Sequence, residues 1–163
     1  MEIREATGAD WPAIWPFLRE IVRAGETYAY DPAMSSDAAR ALWMGPRCVV
    51  AVDGDGTVLG SAHMGPNRAG PGAHVATASF MVDPARAGRG IGRALGEHVI
   101  AWARDAGYRA IQFNAVVETN EAAVALWRSL GFEIVGTVPE AFRRPSGQYV
   151  GLHVMYLRLG GAA

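Results

Sequence analysis

One segment constrains this chain more than any other: Val82-Asp83-Pro84-Ala85-Arg86-Ala87-Gly88-Arg89-Gly90-Ile91-Gly92-Arg93. A run of strand formers from His74 to Val82 leads into Asp83-Pro84, which ends it. A helical pattern starts directly after the glycines and reaches Ala106, with Gly107 placed as its C-cap. A strand handed to a helix through such a turn leaves unpaired N–H groups at the helix start, where the dipole favours an anion. Glycines 88, 90 and 92 remove the side chains that would hold a phosphate off that backbone. Arg86, Arg89 and Arg93 add positive charge around the same turn. These are the physical requirements of a pyrophosphate cradle. A Rossmann G-x-G-x-x-G is not present, because Arg93 and Leu95 stand where its last glycine would fall. An ordinary flexible turn with solvated arginines is the competing reading of the spacing alone.

Around that segment the periodicities alternate. Met1 to Ala6 reads as a strand with Ile3 inward, and Asp10-Trp11-Pro12 starts a helix with Asp10 as N-cap. Ile14, Leu18, Ile21 and Val22 form its apolar stripe, and Gly25 closes it. Ser36 or Asp37 caps a second helix through Trp43. Cys48–Val52 and Val58–Met64 are strands joined by the Asp53-Gly54-Asp55-Gly56 turn. After the central helix come a strand over Arg109–Val117, a helix over Asn120–Leu130 ended by Gly131, and strands over Phe132–Val138 and Tyr149–Leu159. The order β-α-α-β-β-β-α-β-α-β-β predicts an α+β fold, a mixed and mostly antiparallel sheet with a crossover helix. With 163 residues and no linker, the expected organisation is a single domain over 1–163.

Composition narrows the function classes. Half the residues are hydrophobic and the net charge is -1, so no global bias toward nucleic acid or anionic membrane is expected. All 15 basic residues are arginine, which excludes a Walker-type phosphate loop and Schiff-base lysine chemistry. The one cysteine, Cys48, allows neither an internal disulfide nor a thiolate zinc cluster. His63, His74, His98 and His153 lack ligand spacing, so no metal is expected. No apolar run approaches the ~20 residues that span a bilayer. MEIREATGAD lacks the apolar core of a leader, and the cytoplasm is the expected compartment. Abundant Ala, Gly and Arg without Lys points to a GC-rich coding genome.

The stretch VDPARAGRGIGRAL resembles the acetyl-CoA motif of the GNAT N-acetyltransferase family, Gln/Arg-x-x-Gly-x-Gly/Ala, and TNEAAVALWRSLGF resembles that family's later motif. The element order matches as well. The resemblance implies acetyl-CoA as co-substrate, with the backbone of Phe80, Met81 and Val82 paired to the pantetheine arm. It implies that N–H groups of Gly88, Arg89, Gly90, Ile91, Gly92 and Arg93 hold the pyrophosphate. Asn120 would sit beside the thioester and Trp127 along the pantetheine. Two positions depart from the pattern: Ala87 stands at the Gln/Arg position, and Trp127 replaces the tyrosine proposed as general acid. An indole N–H is no useful acid, but a thiol with a pKa of about 8.5 leaves without obligatory protonation.

Gln112-Phe113-Asn114-Ala115-Val116-Val117-Glu118-Thr119-Asn120 resembles a narrower subgroup, the proline-analogue N-acetyltransferases, which acetylate cyclic amines such as azetidine-2-carboxylate. Asn114 and Asn120 are therefore the candidate catalytic pair. Asn120 is also a helix cap, and Asn114 is read equally well as a satisfied strand-end amide. Thr77 stands where that subgroup leads one to expect another asparagine, and Thr77, Asn114, Tyr28 and Tyr30 are the candidate substrate contacts. Glu118 is the nearest carboxylate and is expected to be solvated. The function implied is transfer of an acetyl group to a small, amino-acid-like amine, with a homodimer plausible from the resemblance. Acetylation of a protein or peptide, and an acyl-CoA sensor without catalysis, are the alternatives.

Overall fold

Apolar runs and turn residues divide the chain into seven strands and four helices, seen in a computed structural model that describes residues 1–45 and 47–160. The strand order in the sheet is β1-β2-β3-β4-β5-β7-β6. Contacts group into two compact units, residues 1–64 with 79–95 and residues 65–78 with the chain from Gly96 onward. The divisions fall inside strands β3 (Val58–Pro66) and β4 (Val75–Val82) and inside the central helix α3 (Ile91–Asp105), not at linkers.

The first unit holds β1 (Glu2–Glu5), α1 (Trp11–Ala24), α2 (Ser36–Trp43), β2 (Cys48–Val52) and most of β3 (Val58–Pro66). It also holds the second half of β4 (Val75–Val82) and the first turn of α3 (Ile91–Asp105). β1 pairs antiparallel with β2 from Glu2↔Val52 to Glu5↔Val49, and β2 pairs antiparallel with β3. Ile14, Leu18 and Val22, spaced at helical intervals, lie buried with Trp43 and Val50 in one core. Trp43 donates its indole N–H to Ser61, whose hydroxyl donates to the Val49 carbonyl, so both of these buried side chains are hydrogen-bonded within the core.

Two caps differ from the sequence expectation. Asp10 precedes α1 but does not cap that helix through its side chain. Its carboxylate instead accepts both guanidinium nitrogens of Arg4 at 2.8 and 2.9 Å and the Thr7 N–H at 2.7 Å. A buried carboxylate gains more from a bidentate arginine than from one helix N–H, and that competition decides its partner. The pair holds Asp10 at about 2, below the usual carboxylate value, with the Arg4 hydrogen bond as the main cause. The second helix is capped by Ser35, which accepts the Ala38 N–H, rather than by Ser36 or Asp37.

The second unit holds the start of β4, the rest of α3, β5 (Ala110–Val117), α4 (Glu121–Ser129), β6 (Glu133–Arg143) and β7 (Tyr149–Arg158). β6 runs five residues past the expected end at Val138, through register shifts that let the strand bend and continue. α3 approaches α4 closely: a Cβ on Gly96 would stand 2.8 Å from Leu130 Cδ1 and 2.9 Å from Trp127 Cζ3. Glycine is required there by space. Trp127 packs edge-on to Phe113, which stacks on Phe132 at 4.4 Å.

Candidate active site

The turn between β4 and α3 forms as its residues dictate. Asp83 accepts the Ala85 N–H at 2.9 Å and opens a short 3-10 turn over Pro84–Arg86. Gly88 and Gly90 then adopt φ of +80° and +76°, while Arg89 between them has no positive φ. Alternation of this kind turns successive N–H groups toward one concave side, the geometry that holds anions. A Cβ at either glycine would meet nothing within 4 Å, so conformation, and not crowding, requires glycine here. That open space is what a pyrophosphate would occupy. The residues fit the group, with Gly88 to Arg93 leading directly into the N-terminus of α3.

β4 supplies the neighbouring backbone. The Asp83 N–H donates to the Leu59 carbonyl of β3, so by strand alternation Phe80 and Val82 direct their N–H and C=O to the opposite edge. The ladder with β5 covers only Val75↔Ala110 and Ala76↔Ile111. At Phe80 a side chain takes the place of a strand. The Tyr28 hydroxyl donates to the Phe80 carbonyl at 2.6 Å and accepts the Phe80 N–H at 2.9 Å. Burial pushes the Tyr28 phenol far above its ordinary range. Tyr30 lies tilted against it, ring centroids 5.1 Å apart, and burial raises its phenol too. Both tyrosines thus meet β4 inside the first unit, and a pantetheine paired with Phe80 has to displace Tyr28.

The second unit brings the other named residues together differently. Between Phe113↔Met155 and Val116↔His153 the β5 ladder gains one residue, so Asn114 and Ala115 share a bulge. Asn114 is exposed there, and its amide is held on both sides. Gln112 Nε2 donates to Asn114 Oδ1 at 2.9 Å, and Asn114 Nδ2 donates to Asn67 Oδ1 at 2.6 Å. Sequence reasoning passed over Asn67, although asparagine is rare in this chain and its three copies were the available signal. Asn120 is the N-cap of α4, accepting the Ala123 N–H at 3.3 Å. Thr77 lies half-buried in β4, outside the amide chain. Trp127 is buried among Phe113, Phe132 and Gly96, so its ring belongs to the core of this unit. Glu118 is exposed, yet its carboxylate accepts the Gly151 N–H and ties β5 to β7.

His63 is half-buried, with its Nε2 buried and unpartnered and its ring edge-on to Trp43 at 4.7 Å. Burial lowers its basicity. No group of three metal-ligating side chains occurs among the described residues. No described helix is long and apolar enough to cross a membrane.

An open sheet with a glycine-nested turn between β4 and a crossover helix is a geometry suited to holding a phosphate-bearing group. Residues 15–132 match the acetyltransferase (GNAT) family, and the chain belongs to it. A GNAT acetyltransferase from Kribbella flavida superimposes with a TM-score of 0.94 at 65% identity, over 96% of both chains. The yncA protein of Salmonella typhimurium, solved with its cofactor acetyl-CoA, reaches 0.85 at 29% identity over 100% of this chain and 96% of its own. The L-amino acid N-acyltransferase MnaT of Escherichia coli is 30% identical over 98% of this chain and 94% of its own. The protein is an acetyl-CoA-dependent N-acetyltransferase.

Proposed function

We propose that this enzyme acetylates the amine of a small, amino-acid-like acceptor, cyclic secondary amines of the azetidine-2-carboxylate kind included. The carrying observation is the neutral amide chain through Asn114, exposed on a strand bulge. A site for lysine side chains or polyamines calls for carboxylates to hold the extra cation. Here the side chains hydrogen-bonded to Asn114 are amides, which serve an acceptor with its own carboxylate. A relative that acts on L-amino acids supports the reading.

In this reading the N–H groups from Gly88 to Arg93 hold the pyrophosphate, and the β4 backbone at Phe80, Met81 and Val82 pairs with the pantetheine. The neutral amine attacks the thioester carbonyl carbon. The C–N bond forms, the tetrahedral oxyanion collapses, the C–S bond breaks, and coenzyme A leaves as thiolate. The proton released from nitrogen passes to solvent, so no tyrosine is needed at position 127, where Trp127 stands. Asn114 orients the acceptor, Asn120 serves the acyl-transfer step while capping α4, and Thr77, Tyr28, Tyr30 and Trp127 complete the proposed contacts. The same reading treats residues 1–163 as one N-acetyltransferase domain of a cytoplasmic, bacterial enzyme acting without metal or nucleic acid, and expects a homodimer, which light scattering reads directly.

The test is thiol release from acetyl-CoA with free amino acids, lysine-containing peptides and polyamines as acceptors. Turnover with free amino acids, cyclic ones among them, is expected. Strong activity on peptides or polyamines with none on amino acids overturns the acceptor reading and leaves the acetyltransferase in place. Thioester binding without turnover on any amine favours the sensor.

A further inference from the structure

We infer that Asn67, with Arg68, reads the carboxylate of the acceptor, and that Gln112 sets the polarity of that reading from the far end of the amide chain. The inference deepens the amino-acid reading above and rests on it. An amide has one acceptor end and one donor end, so a chain of amides has a direction. Gln112 gives its N–H to Asn114 Oδ1, and Asn114 gives its N–H to Asn67 Oδ1. Each step uses an acceptor oxygen, and the chain ends with the Asn67 NH₂ group presented as a double donor. A double donor suits a carboxylate and repels nothing by charge.

The surroundings agree with that sign. Arg68 adds the only formal charge of the pair, and its guanidinium donates to the Asn67 carbonyl at 3.3 Å. Arg68 has no carboxylate partner among the described residues. Asn67 itself is pinned to β4, because its N–H donates to the Val75 carbonyl at 2.8 Å. Asn67 is thereby a specificity residue, and Gln112 a positioning residue that acts through Asn114.

Replacing Gln112 with glutamate removes the donor that fixes Asn114. The Asn114 amide must then turn its NH₂ toward Glu, its oxygen faces Asn67, and Asn67 turns to donate back. The end of the chain becomes an acceptor. The experiment compares L-proline and L-azetidine-2-carboxylate with their carboxamides by thiol release from acetyl-CoA. Wild-type enzyme and the variants Asn67→Asp, Gln112→Glu and Gln112→Leu are measured, each first checked for an unchanged melting profile.

Asn67→Asp keeps the acceptor for Asn114 and places a negative charge at the reading end. It is expected to raise KM for the acids at least tenfold, with kcat and the carboxamides little affected. Gln112→Glu is expected to move the acid-to-amide preference the same way, by several-fold, and Gln112→Leu by less. A parallel loss on acids and carboxamides in these variants overturns the inference while leaving the amino-acid reading intact. Wild-type enzyme inactive on every free amino acid removes that reading and the inference together.

Discussion

The β4–α3 turn and the Gln112–Asn114–Asn67 chain are both built to present N–H groups, yet they are built from opposite materials. The turn uses backbone from a contiguous run of residues, and its geometry is set by the positive φ of Gly88 and Gly90. The amide chain uses side chains from β5 and from the loop after β3, with Asn114 and Asn67 separated by 47 positions. A backbone cradle keeps its donors under any substitution but proline, and otherwise loses only its shape or access. A side-chain chain can be inverted by one atom change. That contrast separates a feature suited to an invariant group, a pyrophosphate, from one suited to discriminating among acceptors.

The largest expected effect breaks the cradle. Gly90→Glu combines a strained left-handed φ with a negative charge in the turn, and acetyl-CoA affinity is expected to fall by about a hundredfold or more. Calorimetry on the folded variant reads this, with Gly90→Ala as a milder control; unchanged affinity would sink the assignment. The matching change in the amide chain is Asn114→Ala. Losing a hydrogen bond to a charged group costs about 1.5–3 kcal/mol, so kcat/KM for an amino acid is expected to drop roughly tenfold to a hundredfold. Acetyl-CoA affinity should stay as it was, and a loss there instead would merge the two regions into one function.

A smaller effect is expected at Tyr28. Tyr28→Phe removes the hydroxyl that bonds the Phe80 N–H and carbonyl and should cost about 1–3 kcal/mol in urea unfolding. Because a paired pantetheine would no longer displace a hydroxyl, acetyl-CoA should bind several-fold more tightly. Weaker binding would place Tyr28 on the cofactor's side of the ledger.

The pH dependence of stability gives a smaller signal. Asp10 is depressed to about 2 from 3.8, so its contribution is complete above about 3.8 and is lost as pH falls toward 2. His63 is also depressed, so its burial favours the folded state fully above 6.5 and progressively less below that value. Urea midpoints should therefore decline in both windows on acidification. His63→Phe should flatten the upper one, and a midpoint that rises between pH 7 and 5 in the wild type contradicts the assignment. Asn120→Asp completes the series. The cap survives, since both side chains accept from Ala123, and stability should change by a few tenths of a kcal/mol. Turnover should fall nonetheless, and a folded variant with unchanged kcat reduces Asn120 to a cap.

How much was legible follows from which interactions are local. The strand-to-helix turn at 83–93, the element order and the Asn120 cap depend on neighbours within a few residues, and each stands where the sequence alone put it. Asp10 shows the limit: the N-cap pattern was present, but a partner at Arg4 outweighed it. Trp127 shows another, because helical spacing does not announce the long-range packing of its ring on Phe113 and Phe132. The extension of β6 past Pro139 needed register shifts against β7 that no local pattern announces.

By itself, then, the sequence determined the turn and the crossover, because glycine torsions, proline and helix periodicity act within one stretch of chain. The tertiary structure alone decided that Tyr28 would partner Phe80 and that Asn67 would end an amide chain begun at Gln112. Those pairings depend on which strand lies beside which loop and on a one-residue bulge at Asn114. A hydrogen bond between distant residues has no sequence period, and its direction is fixed only when the whole set of donors and acceptors is in place.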